Sequence, residues 1–145
     1  QGNSELMAGF HSACDELSIQ QQPCNIIDVG TGNRTIYDTL GRIISMPDRP
    51  TALIIHEQAT AIAVQSHLQQ ENIRVPEDMA LVVGHGDSFC DYLKTRLTHT
   101  IIERTDLGQA AAEGILALVE QRVKGIHRTI SPVLAQCESS LYRVC

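Results

Sequence analysis

The chain has 145 residues, 43% of them hydrophobic, and a formal charge of -6 at pH 7. That length closes one ordinary core and falls short of two domains of typical size. The acidic balance, without any block of Lys and Arg, argues against the segment itself gripping a phosphate backbone, which needs clustered cations to release counterions. No apolar run approaches the roughly 20 residues of a membrane helix, and no charged start precedes an apolar signal core, so a cytosolic chain without a membrane partner is expected. The five cysteines, Cys14, Cys24, Cys90, Cys137 and Cys145, are odd in number and lack short paired spacing, which favours reduced core thiols over a disulfide framework. The chain opens on Gln1 with a helix-like segment almost at once, as a fragment of something longer would.

Leu6, Phe10, Cys14 and Leu17 recur at helical spacing, and Ser4 stands where a hydroxyl caps the first turn. Ile26, Ile27 and Val29 then form a short β-branched run ended by Gly30-Thr31-Gly32, after which Ile36, Leu40, Ile43 and Ile44 return to helical spacing. Two prolines in Met46-Pro47-Asp48-Arg49-Pro50 stop that helix. A strand is expected from Thr51 to Ile55, then a helix carrying Ala59, Ile62, Ala63 and Leu68 and closing around Glu71-Asn72. A turn at Val75-Pro76-Glu77-Asp78 leads into a strand from Met79 to Val83, ended by Gly84-His85-Gly86-Asp87. A strand near Thr98 to Ile102 precedes a long helix with Leu107, Ala111, Ile115, Leu118 and Val119 on one side, and Ile130 to Cys137 predicts a last strand.

Apolar strands alternating with amphipathic helices predict an α/β fold, a mostly parallel sheet with helices on both faces and right-handed crossovers. In such sheets the ligand crevice lies beyond the carboxyl ends of the strands. Polar residues collect there: Thr31 and Asn33; His56, Glu57 and Gln58; His85, Asp87 and Ser88; Glu103 and Arg104.

Catalytic and cofactor motifs fail on their spacing. Gly30-Thr31-Gly32 lacks the third glycine of a dinucleotide loop, since position 35 is Thr35. His56-Glu57 opens like a zinc-protease helix, but Thr60 stands where the second histidine is needed. Gly86-Asp87-Ser88-Phe89-Cys90 sits after a strand like a nucleophile elbow, with Cys90 where the sharp turn wants glycine. The six histidines show no metal spacing, and of them only His56 and His85 stand at strand ends where a ligand reaches. No catalytic residue, cofactor or metal is therefore predicted, and a small hydrolase using Ser88 is kept only as an alternative.

Ala8-Gly9-Phe10, Asp48-Arg49-Pro50-Thr51-Ala52, the run from Ile73 to Gly84 with its Val75-Pro76-Glu77-Asp78 and Val82-Val83-Gly84, Leu97-Thr98 and Asp106-Leu107-Gly108 together resemble the carboxyl-terminal half of the lactose-repressor family of bacterial transcription regulators. The resemblance spans roughly residues 4 to 140. It implies a periplasmic-binding-protein-like effector domain of two lobes, a homodimer, and an amino-terminal helix-turn-helix that reads operator DNA. Residues 1–145 then correspond to the carboxyl-terminal lobe, without the DNA reader and most of the first lobe. What this lobe lines in the family is one wall of a sugar or nucleobase cleft.

Position by position, the resemblance places an arginine where this chain has Leu6 and a ligand-stacking aromatic where it has Thr31. An asparagine-aspartate pair is matched by Glu57-Gln58, and the two aspartates expected after Val82-Val83-Gly84 and one further residue are matched by Gly86 and Asp87. The expected ligand-binding residues are thus Glu57 and Asp87 as acceptors, flanked by His56, His85 and Arg104, for a small polar effector such as a sugar or nucleoside. On local chemistry alone, Glu57 suits a helix amino terminus and Asp87 caps the segment from Ser88. Phe89, Tyr92 and the Ala59–Leu68 helix are candidates for core or for a dimer contact. An extracytoplasmic solute receptor is the alternative of the same fold.

Overall fold

The computed structural model describes residues 2–19, 26–29 and 33–141. The chain divides into two units, residues 1–30 and 31–145. In the first, helix α1 runs Gly2–Glu16, with Cys14 buried and Leu6 partly exposed. The helix begins upstream of Ser4, so Ser4 lies within it rather than at its cap. Residues 26–29 adopt no strand, contrary to the expectation from Ile26, Ile27 and Val29. β-Branched residues favour extended backbone, but a strand exists only when a neighbour completes its ladder. Gly30, Thr31 and Gly32, with Cys24 and Cys145, lie outside the described residues.

The second unit is an α/β sheet with its helices: α2 (Asn33–Ile44), β1 (Ala52–Glu57), α3 (Gln58–Gln70), β2 (Ala80–His85), a 3-10 helix (Ser88–Asp91), β3 (Thr98–Ile101), α4 (Arg104–Val119), β4 (Val133–Ala135) and a 3-10 helix (Glu138–Ser140). The strand order is β1-β2-β3-β4. β1 and β3 flank β2 in parallel, and β4 joins β3 antiparallel with Ile101 opposite Val133. β4 is much shorter than the predicted strand from Ile130 to Cys137.

Packing follows the apolar spacing. Ile36, Leu40 and Ile43 of α2 and Ala61, Val64 and Leu68 of α3 are buried with Leu81 and Val83 of β2, and α3 packs on both β1 and β2. α2 meets α3 through the Tyr37 and His67 rings, 4.9 Å apart. Before β2, the Val75-Pro76 peptide bond is cis, and the turn is bound by Asp78, which accepts from the Arg74 amide at 2.9 Å and its guanidinium at 2.7 Å.

Polar latches hold the carboxyl-terminal segment to the sheet. Ser139, fully buried, donates to the Leu81 carbonyl at 2.6 Å and accepts from the Thr98 amide at 2.8 Å. Thr98 Oγ1 donates to the Cys137 carbonyl at 3.0 Å and accepts from the Cys137 amide at 2.9 Å. Each group is desolvated and paired, the condition under which buried polar atoms stabilise a fold.

Helix α4 departs from the expected amphipathic packing. Its apolar residues recur at helical spacing, yet none is buried, and Leu107, Ile115, Leu118 and Val119 all face out. The helical period was legible in the sequence; that the apolar stripe stays exposed among the described residues was not. Among those residues no helix is long and apolar enough to cross a membrane.

Candidate functional site

Parallel pairing brings the carboxyl ends of β1 and β2 side by side, with Glu57 opposite His85 in register. Side chains alternate across a strand, so Glu57 and His85 continue the face of Leu53, Ile55, Leu81 and Val83, while His56 lies on the opposite face with Ile54. Ile54 is 63% exposed and His56 is exposed too. The structure therefore joins Glu57 to His85 and separates His56 from both.

Glu57 occupies the N-cap position of α3 in extended conformation, and its carboxylate makes no cap hydrogen bond. Its charge still suits the positive end of the helix. Gln58, the next residue, accepts from the Asp87 amide at 2.8 Å and so ties the two strand-end loops together. The Asp87 carboxylate accepts from the Phe89 amide at 2.8 Å and caps the 3-10 helix from Ser88. That amide, then Gln58, holds the Asp87 carboxyl below its ordinary range; partial burial works against them, and the nearby Arg104 cation adds to the lowering. Arg104 is the exposed first residue of α4. Asp87 and Gln58 are thus joined by a hydrogen bond at the strand ends, with the Arg104 cation near enough to favour the ionised carboxylate.

Gly86 explains one departure from the family pattern. A Cβ built on it would lie 2.7 Å from both Cβ and Cδ2 of His99 and 2.8 Å from its Cγ. His99 is 1% exposed, and its Nδ1 lies 2.8 Å from the Leu97 carbonyl. Where the resemblance expects a carboxylate after β2, the space is occupied by an imidazole rising from β3. His99 was passed over in the sequence because nothing local marks it; its partner is Gly86, on the neighbouring strand's exit loop.

The other singled-out residues sit as follows. Ser88 opens a short 3-10 helix rather than the long helix that a nucleophile elbow requires, and Cys90, two residues on, is fully buried. Burial pushes both the Cys90 and Cys137 thiols up. Cys14, Cys90 and Cys137 are free thiols. Phe89 and Tyr92 pack edge-to-face at 6.4 Å and are exposed rather than core.

An open, mostly parallel sheet with polar side chains gathered at its strand ends is the architecture of the α/β binding-protein type. The family model of the periplasmic binding protein-like domain matches residues 1–140, and the chain belongs to that family. Among curated relatives, the HTH-type transcriptional repressor PurR of Vibrio atlanticus is 28% identical over 131 residues, covering 87% of this chain and 39% of its own length. The probable opine utilization operon repressor of Rhizobium rhizogenes is 24% identical over 121 residues, covering 83% of this chain and 59% of its own length. The chain thus spans well under two thirds of these relatives.

Solved structures share the fold. The transcription regulator CcpA of Lactococcus lactis superposes with a TM-score of 0.80 at 18% identity, over 96% of this chain and 51% of that one. A LacI family regulator of Enterococcus faecium with bound ribose gives 0.75 at 19% identity, over 92% and 50%. The curated relatives are repressors and not enzymes, which agrees with the failed catalytic spacings and sets aside the hydrolase alternative.

Proposed function

We propose that the chain is the carboxyl-terminal lobe of the effector-binding domain of a homodimeric transcription regulator, and that a small polar effector, sugar- or nucleoside-like, binds at the strand ends through Glu57, Asp87, His85 and Arg104, with His56 at the flank. The observation that carries this reading is the hydrogen bond from the Asp87 amide to Gln58, which joins two polar loops at the carboxyl ends of parallel strands. It holds the Asp87 carboxylate there as an acceptor, with the exposed Arg104 at the start of α4 as a cation, groups that a ligand bearing hydroxyl or amine donors and a polar acceptor satisfies. The uncovered apolar side of α4 supports a second lobe supplied by a longer protein, because an exposed stripe of that kind is normally buried.

In the longer protein, effector binding closes the two lobes and shifts the population of the state whose helix-turn-helix heads fit operator DNA. Relatives that are repressors favour this over an extracytoplasmic receptor. The test is calorimetry of the full-length protein with a panel of monosaccharides, nucleobases, nucleosides and opines, followed by operator binding with and without the ligand found. Binding of one class, weakened at least tenfold by Arg104→Gln, is expected; absence of binding by every class refutes the effector role.

A further inference from the structure

Three side chains from separate elements converge next to the strand-end cluster, sharing with it the ring of His99 that packs on Gly86. Asp91 ends the first 3-10 helix, His99 lies in β3, and Cys137 follows β4. One ligand-type atom from each falls within 4.8 Å of the other two, and Cys137 Sγ lies 4.0 Å from Asp91 Oδ1. We infer that Asp91, His99 and Cys137 bind one zinc-class divalent cation, with a fourth position left to water or another small ligand.

The donor set decides the class of ion. Thiolate and imidazole are soft or borderline donors that suit zinc and its neighbours, whereas magnesium and calcium take all-oxygen sets. Around a tetrahedral zinc with bonds of ~2.0–2.3 Å, ligand atoms stand roughly 3.5 Å apart, so the trio has to close by about 1 Å. Asp91 is exposed and can move toward the ion, whereas His99 and Cys137, 1% and 7% exposed, approach it by small shifts of packed side chains.

Two further features fit a ligand histidine. The Leu97 carbonyl, 2.8 Å from Nδ1, fixes the proton there, which leaves Nε2 as the lone-pair nitrogen. An imidazole oriented by a backbone carbonyl is the usual second sphere of a metal-bound histidine. Gly86, in turn, leaves the room that the ring fills. The ion would enter from the solvent side at Asp91 and bridge the 3-10 helix that Asp87 caps to β3 and to the latched segment at Cys137.

The experiment uses the full chain and metal ions alone. Equilibrium dialysis is expected to show one zinc per chain, and zinc, but not magnesium, is expected to raise the thermal midpoint, because an ion that binds only the folded state stabilises it. Cobalt(II) is expected to give a thiolate-to-cobalt charge-transfer band. Asp91→Asn and Cys137→Ser should each weaken zinc binding at least ~10-fold, the lower end of the loss seen even for second-sphere changes. The band should vanish in Cys137→Ser and persist in Cys14→Ser. Lack of stoichiometric zinc binding overturns the assignment, as does a band or affinity unchanged in Cys137→Ser. Should Cys137→Ser fail to fold, unchanged affinity in the surface variant Asp91→Asn overturns it equally.

Discussion

Adding a single methyl group at Gly86 tests the account of the strand-end loop. In Gly86→Ala the new Cβ would stand 2.7–2.8 Å from three atoms of His99. The optimum carbon–carbon separation is ~3.5–4.0 Å, so three contacts are about 1 Å too short. His99 cannot swing aside cheaply, since the clashing atoms lie near its root and Nδ1, on the other side of Cγ, is held by the Leu97 carbonyl. Overpacking of this kind costs roughly 1–3 kcal/mol. The opposing effect is the entropy that alanine removes from the unfolded chain, about 0.4–1 kcal/mol, available because Gly86 does not need a positive φ. The clash wins, and a net loss of ~1–2 kcal/mol is expected in urea denaturation followed by circular dichroism. In a His99→Ala background the contacts to Cγ and Cδ2 are gone and only the one to the remaining Cβ is left, so the same substitution should cost measurably less there. An equal cost in both backgrounds would refute the packing argument.

Other consequences are open to equally direct measurement. Ser139→Ala strips partners from the Leu81 carbonyl and the Thr98 amide, both inside the sheet; at ~1–3 kcal/mol for each stranded group, denaturation should show a loss of about 2–4 kcal/mol, and a loss under ~0.5 kcal/mol would mean that the latch is dispensable. Asp87→Ala should cost about 1 kcal/mol as a lost cap, whereas Asp87→Asn keeps the cap and removes the charge beside Arg104. Stability unchanged in Asp87→Asn together with weakened effector binding separates the two roles; full binding in that variant would reduce Asp87 to a cap. Asp78 titrates well below its ordinary range because of the Arg74 side chain and amide. Its contribution to stability is therefore complete above the ordinary carboxylate range near ~4 and is lost as pH falls through the depressed folded value. The stability gap between wild type and Asp78→Asn should narrow steadily on acidification, and a gap independent of pH would rule out the ion pair as its source.

Much of the framework was legible in the sequence because it depends on local chemistry. β1, β2 and β3 appeared as β-branched runs closed by polar residues, and Val75-Pro76-Glu77-Asp78 marked a turn whose role, an aspartate binding Arg74 four residues back, is itself local. Features that depend on distant partners were not legible. Residues 26–29 have strand composition, but pairing decides whether a strand exists. The period of α4 was plain, yet periodicity says that a stripe exists and not what covers it. Ser139 and Thr98, ordinary in isolation, meet 41 positions apart in the chain. Of the candidate site, the cap at Asp87 was foreseen, while the sidedness of His56 needed the register of β1 on β2.

The exchange at Gly86 and His99 bears on how far the relatives inform the effector. At Gly86, where the resemblance places a carboxylate, the strand end is not a gap left for solvent but a space taken by the buried ring of His99. Restoring the carboxylate alone, as Gly86→Asp, would meet the same ring atoms, so a change at one position requires the other to change too. The residues that fix the sheet, Leu81, Thr98 and Ser139, are independent of this exchange, and loops at strand ends vary without disturbing a core held in that way. Under the proposed function, effector chemistry is therefore to be read from Asp87, Gln58 and Arg104 as they stand here rather than from the ligand found in a neighbour of the same fold.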